Sequence, residues 1–373
     1  MANASRDIAL EALFHPFGAG LLQWPAAGVL FLRAREGVAL HAQRTDGLVG
    51  TQPFKPEAQR ITRIGIDLID EDALPAGGFP LVLVLPPRQR EEARALLAKA
   101  CAAVAEGGVV VVSVSNDEGA KTREADLKLL ASSVSVVSKH HCRVFWTATG
   151  AAIDTALQAQ WARGDVPRRI ASPDVPGGGF QTRPGVFAWD RVDAASAMLA
   201  ASLPNDVRGR VADFGAGWGY LALQVMARCP QVTSLDLYEA DARALALADA
   251  NLVDAAGSEP NVPVHLHWQD VAAGVAERFD AIACNPPFHA LGRGDRPDIG
   301  RAFIDAAAQA LNPGGRLWLV ANRHLPYEQA LADGFAEVAI VAQQGGFKIV
   351  QATKAPAVRP APARAAKPAR NRR

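Results

Sequence analysis

Phe279-Asp280-Ala281-Ile282-Ala283-Cys284-Asn285-Pro286-Pro287 reads as a short apolar strand stopped by two prolines. Its length and flanks suit a strand buried in a parallel sheet. Proline fixes its own φ and holds the residue before it extended, so Asn285 is presented at the strand's carboxyl edge with little freedom. In open α/β sheets that edge is where ligands bind. An amide oxygen on Asn285 beside the backbone carbonyl of Pro286 can accept both hydrogens of an exocyclic amine. Phe288 follows Pro287 and offers a face for a flat ring.

The same punctuation occurs earlier in the chain. Phe79 to Pro87 is an apolar run ended by Pro86 and Pro87, followed by a helix-forming stretch from Arg90 to Ala105. Glu106-Gly107-Gly108 closes that helix, and Val109 to Val114 is a strand. After Pro287 come a helical stretch from Ala302 to Leu311, the turn Pro313-Gly314-Gly315, and a strand from Arg316 to Val320. Strand, two prolines, helix, two glycines, strand therefore occurs twice, and an internal duplication of one α/β unit is expected. The length of 373 residues agrees with two domains. Further strands are expected at Gly28 to Arg33, Val134 to Val137 and Arg143 to Trp146, and residues 1–27 carry no pattern. Prolines and glycines crowd between residues 166 and 190, so this segment reads as a linker. The division is then 1–165, linker 166–190, 191–353, and a tail 354–373.

Composition narrows the function classes. With 49% hydrophobic and 21% charged residues the chain is an ordinary globular protein. It has no apolar run long enough for a membrane span and no signal peptide pattern at its start. Four scattered cysteines, Cys101, Cys142, Cys229 and Cys284, form no CxxC pair, which speaks against zinc or a disulfide framework and fits a reducing cytoplasm. His140, His141 and Cys142 resemble a metal cluster, but their adjacency prevents chelation by all three, and no metal is expected. The net charge of +1 conceals a basic tail: residues 354–373 hold seven Lys and Arg and no acid. That tail cannot bury enough apolar surface to offset ordering entropy and is expected to be disordered.

A second constellation precedes the proline corner. Arg210 to Phe214 reads as a strand, Gly215-Ala216-Gly217-Trp218-Gly219 as a loop, and Tyr220 to Arg228 as a helix. Glycines let backbone approach a ligand, and the helix start offers free N–H groups. A second strand, Ser234 to Tyr238, ends in Glu239, near the spacing at which a carboxylate takes ribose hydroxyls. Asp236 and Asp241 compete for that role. A third strand, Val264 to Trp268, ends near Asp270, which can accept from an adenine amino group. Together these form an adenosine site. The loop lacks the third glycine of a pyrophosphate-binding turn, and Asp213 before it would repel phosphate. A cation suits Asp213 better, which favours S-adenosylmethionine, with its ammonium and sulfonium, over NAD.

These residues resemble a known family. The second half is similar to class I S-adenosylmethionine-dependent methyltransferases, and more narrowly to the bacterial ribosomal RNA guanine-N2 methyltransferases of the RsmC/RlmG type. The matching stretches are Pro184 to Phe187, Asp213 to Gly219, Asn285 to His289, Val320 to Tyr327, and Phe347-Lys348. The resemblance implies two tandem Rossmann-like α/β methyltransferase domains, the first degenerate and the second catalytic. In the first, no glycine loop follows the strand from Gly28 to Arg33, and Leu85 stands where Asn285 does, so cofactor binding is expected only in the second.

The site implied is Asn285, Pro286, Pro287 and Phe288 for catalysis, and Asp213, Gly215, Gly217, Gly219, Glu239, Asp270 and Asn285 for the cofactor. Phe187 covers the cofactor or anchors the linker. Arg293, Arg296 and Arg301 grip phosphates or form a solvated loop. The partner implied is ribosomal RNA or a ribosomal subunit, and a monomer is expected. Two other readings are methylation of another planar amine, adenine N6 or a protein glutamine, and a non-catalytic RNA-binding assembly factor.

Overall fold

A computed structural model describes residues 7–43, 46–257, 262–287 and 297–357. The first half holds β1 (Ala27–Leu32), β2 (Asp46–Thr51), β3 (Asp67–Leu68), β4 (Phe79–Val84), β5 (Val104–Ser115), β6 (Val134–Lys139) and β7 (Cys142–Thr147). They form one sheet in the order β3-β2-β1-β4-β5-β7-β6. A hairpin of β8 (Arg168–Ala171) and β9 (Gly179–Thr182) comes next. The second half then holds β10 (Arg208–Phe214), β11 (Gln231–Glu239), β12 (Val264–Trp268), β13 (Phe279–Cys284), β14 (Leu311–Asn322), β15 (Glu337–Gln344) and β16 (Phe347–Thr353), ordered β12-β11-β10-β13-β14-β16-β15. The two orders are the same, and in each sheet the next-to-last strand, β7 or β16, runs antiparallel to its neighbours.

The strands form where the sequence supplies apolar runs. Val29 to Leu32 and Val211 to Phe214 are almost entirely buried, as expected of strands covered on both faces. Phe214, Tyr238 and Phe279 meet edge to face under the second sheet. Fully burying side chains of this size stabilises by about 1.5–3 kcal/mol each.

The repeated glycine pair has a different cause from the one its sequence suggests. The helix Arg90–Ala103 ends at Val104, whose extended backbone already starts β5. Gly107 and Gly108 lie inside that strand. Register slips between Phe79–Val104 and Leu81–Val109, and in the same way between Phe279–Leu311 and Ala281–Arg316. The glycines serve this bulge. Gly107 and Gly314 have φ of 76° and 78°. A Cβ on Gly108 would stand 2.8 Å from the Pro80 carbonyl, and one on Gly315 would stand 3.2 Å from that of Asp280.

Residues 166–190 contain the β8–β9 hairpin, which docks on the helix Ala242–Ala256 through Arg169 to Asp254 and Asn251 to Gln181. His140 and His141, both at positive φ, form the tight turn between β6 and β7. Among the described residues no group of His, Cys, Asp and Glu could hold a metal ion, and no helix is long and apolar enough to cross a membrane. Most of the basic tail, residues 358–373, lies outside the described residues.

Candidate active site

The order β12-β11-β10-β13-β14 reverses direction of winding between β10 and β13, and loops leaving the carboxyl ends of those two strands part there to leave a crevice. The loop after β10 is Gly215 to Gly219, and the one after β13 is Asn285 to Pro287. Gly215 to Trp218 of the first and Asn285 of the second line one cleft with Phe187, Asp193, Ser196 and Tyr220. The loops also lie close together: a Cβ on Gly215 would stand 3.7 Å from the Asn285 carbonyl.

Asn285 is held by residues the sequence did not single out. Its Nδ2 donates to Asp193 Oδ2 at 3.1 Å and to Ser196 Oγ at 2.8 Å. A carboxylate only accepts, so this pairing fixes which arm of the amide is nitrogen. Asp193 is itself held, because the same oxygen caps the helix Ala194–Ser202 by accepting from Ser196 N at 2.8 Å. The only sequence signal was that of an acid preceding an Ala-rich helix. Pro286 is buried and Pro287 exposed. Phe288, His289, Arg293 and Arg296 lie outside the described residues, and Arg301 is on the helix Pro297–Ala310.

The glycine loop is braced from below. Gly215 N and Ala216 N both donate to the Tyr238 carbonyl. Gly217 N donates to Glu239 Oε2 at 2.7 Å, and Asp241 N donates to Glu239 Oε1 at 2.8 Å. Burial raises the Glu239 carboxyl above its usual range, opposed by these N–H donors. Gly219 caps the helix Tyr220–Arg228 at φ 91° and packs against Ala248.

Asp213 lies beneath the loop rather than on the cleft wall, only 2% exposed. Its Oδ2 accepts from Ala222 N at 3.2 Å, while Oδ1 has no partner. Burial pushes its carboxyl up to about 7, and the charge of Glu239 adds to the rise. Asp270, at the end of β12, caps a short 3-10 turn by accepting from Ala272 N. Of the two acids that competed with Glu239, Asp236 is fully buried under Arg210 and His267, and Asp241 caps the next helix. Burial raises the Cys284 thiol well above its usual range, which leaves it a strand residue rather than a nucleophile.

The equivalent corner of the first half is built differently. Leu32 sits opposite Thr51 and Val84 as Phe214 sits opposite Tyr238 and Cys284. Arg33 therefore occupies the place of Gly215, and it keeps the left-handed backbone at φ 57°. Its guanidinium pairs with Glu71 at 2.6 Å and Glu92 at 3.0 Å. Leu85, buried, stands where Asn285 does.

A doubly wound sheet with a glycine loop and an Asn-Pro-Pro corner facing one cleft defines a methyltransferase, and the methyltransferase small domain family matches residues 177–351. Ribosomal RNA small subunit methyltransferase C of Shewanella amazonensis is 33% identical over 279 residues, covering 73% of this chain and 76% of that protein. The Serratia proteamaculans protein of the same name is 30% identical over 275 residues, covering 74% and 75%. The solved structure of the T. thermophilus 16S rRNA N2 methyltransferase (RsmC) with AdoMet and guanosine shares the fold. It superposes with a TM-score of 0.76 at 23% identity, covering 94% of this chain and 93% of that one. The chain belongs to the ribosomal RNA small subunit methyltransferase C family.

Proposed function

We propose that this protein transfers a methyl group from S-adenosylmethionine to the exocyclic N2 amine of a guanine in small-subunit ribosomal RNA, in the cytoplasm. The observation that carries the reading is the clamped amide of Asn285. With Nδ2 committed to Asp193 and Ser196, the other arm, Oδ1, is left to accept. Asn285 Oδ1 and the Pro286 carbonyl take the two amine hydrogens, which turns the nitrogen lone pair toward the donor. Orientation of this kind supplies up to roughly 7–11 kcal/mol of a barrier. Phe288 stacks on the base, worth about 1–3 kcal/mol, and the base must leave its stack to reach the cleft.

The residues present fit the cofactor. Gly215 and Gly217 bring backbone close to it. Gly217 N and Asp241 N each hold one Glu239 oxygen, and a carboxylate's remaining acceptor positions suit ribose hydroxyls. Asp270 accepts from the adenine amine, and the partnerless Oδ1 of Asp213 provides buried negative charge for a cationic ligand. S-adenosylmethionine supplies an electrophilic methyl carbon on a sulfonium. As the amine's N–C bond forms, the S–C bond breaks, and the charged amine product then releases a proton to water. No residue need act as a base before transfer. The same reading assigns residues 191–353 as the catalytic domain, 1–165 as its degenerate copy, 166–190 as the connection and 354–373 as a basic tail.

The test pairs calorimetric S-adenosylmethionine binding with methyl transfer to small-subunit RNA from a strain lacking the enzyme. Asn285→Ala is expected to lower turnover about 10²-fold or more, as loss of one preorganised polar group does elsewhere, while the protein still binds cofactor. Asp193→Asn, which frees the amide to rotate, lowers turnover in the same direction. An Asn285→Ala protein that binds cofactor and turns over near the wild-type rate overturns the assignment.

A further inference from the structure

The two halves meet where β2 and β11 end. Pro53-Phe54-Lys55 lies antiparallel to Ala240-Asp241-Ala242, bridged at Phe54 and Asp241. Lys55 N donates to the Ala240 carbonyl at 2.8 Å, and Ala242 N donates to the Pro53 carbonyl at 3.0 Å. The indole Nε1 of Trp268 donates to both carbonyls, 2.9 Å from Pro53 and 2.8 Å from Ala240. The Lys55 ammonium lies 4.2 Å above that ring.

A second link converges on the same turn. Glu92 of the first half, 3% exposed, pairs with Arg33 and with Arg243. Arg243 in turn grips both oxygens of Asp241, at 3.1 and 2.7 Å. Asp241 N then holds Glu239, whose other oxygen holds the glycine loop at Gly217. Behind the turn a cleft of about 620 Å³ separates the halves, lined in part by Lys55, Thr62, Arg243 and Trp268. With open space on that side, hydrogen bonds and ion pairs set where the turn lies, rather than close packing.

We propose that Pro53–Lys55 is a positioning strap. By pairing with Ala240–Ala242, the non-catalytic half fixes the Glu239 carboxylate against the glycine loop and so sets the affinity of the catalytic half for the ribose of its cofactor. This rests on the reading of Glu239 as the ribose ligand. A carboxylate that must meet two hydroxyls works only if held to within about 0.5 Å, which its own turn achieves through the partners named above. The strap acts on the carboxylate that takes the ribose and not on Asn285, so a loosened strap is expected to cost cofactor binding and to leave methyl transfer at saturating cofactor intact.

One substitution removes the central bond cleanly. Lys55 is the first residue of the helix Lys55–Arg63, where proline is tolerated, and Phe54 before it is already extended. Lys55→Pro deletes the N–H that reaches Ala240, and Lys55→Ala keeps that N–H while removing the side chain beyond Cβ. In the full chain, Lys55→Pro is expected to weaken S-adenosylmethionine binding about three- to tenfold, the effect of one net hydrogen bond. The loss must exceed that of Lys55→Ala, with kcat at saturating cofactor unchanged. The loss must also shrink in a Glu239→Gln background, because both changes act through one carboxylate.

Should Lys55→Pro fail to fold, Trp268→Phe, which keeps every backbone bond but loses the indole donor and part of the ring beneath Lys55, decides by the same readouts. Wild-type affinity in these variants, or a fall in kcat with affinity unchanged, overturns the strap. Absence of cofactor binding by the wild-type protein would instead overturn the functional reading beneath it.

Discussion

Asp213 is a carboxyl kept out of water with one oxygen unpaired, and its raised pKa gives its role a pH signature. Between the usual carboxylate range and about pH 7, the folded protein holds a proton on this group that the unfolded chain has released. Its contribution therefore favours the ligand-free fold at low pH and is lost as pH rises toward 7 and beyond. On the proposed reading that Asp213 faces the cofactor's positive charge, binding favours the ionised form, so it is expected to release a proton below about pH 7 and to tighten as pH rises through that value. Calorimetry in buffers of different ionisation enthalpy measures that proton. Asp213→Asn should raise the melting temperature of the ligand-free protein at about pH 8, flatten the pH dependence of cofactor affinity and weaken the affinity itself. Unchanged pH dependence in this variant would assign the proton elsewhere. The sequence showed Asp213 as an acid before a loop, but its depth below that loop follows from β10 pairing on both sides, which no local pattern reports.

At the level of elements, the glycine loop separates two demands on a residue without a side chain. Gly217 has φ 56° with open space around a would-be Cβ, so Gly217→Ala should lower stability by only about 1 kcal/mol of backbone strain. Gly219 has φ 91°, and its would-be Cβ meets Ala248 Cβ at 3.1 Å. Strain and overpacking together predict about 2–4 kcal/mol for Gly219→Ala, read from denaturant unfolding of both variants side by side. Elements with strong punctuation were legible in advance: Tyr220–Arg228 and Val264–Trp268 run between the residues expected, and β13 ends at its prolines. Less patterned elements were not. β2 carries two glycines in six residues, and the helices Ile8–Leu13 and His15–Gly18 are too short for a periodic signal. The glycine pairs are visible in the sequence, where Gly107-Gly108 reads as a helix stop and Gly314-Gly315 as a turn, but the bulge they serve depends on a neighbouring strand that no local pattern reports. Asp193 and Ser196 escaped for the same reason: they meet Asn285 across some ninety residues of chain.

Across the whole molecule, charge is distributed unevenly, with seven basic side chains and no acid in residues 354–373. Removing residues 358–373 takes away six of these. It should weaken RNA binding at low salt and flatten the plot of log affinity against log salt, by about 0.7 for each phosphate of single-stranded RNA that the tail had neutralised. An unchanged slope would show the tail to be a bystander.

The junction between the halves joins like to like. Pro53, Phe54 and Lys55 hold the positions in the first half that Ala240, Asp241 and Ala242 hold in the second, and a helix starts at Lys55 as one does at Ala242. Lys55 N to Ala240 and Ala242 N to Pro53 are thus one bond written twice about a local two-fold axis, the form of contact by which identical subunits pair. Two separate subunits would need a broad apolar surface to stay together when dilute. Copies on one chain meet at an effective concentration fixed by their tether, about millimolar for a short connection. A narrow, hydrogen-bonded and ion-paired seam is then enough, and one copy is released to trade a glycine for Arg33 while the other keeps the chemistry.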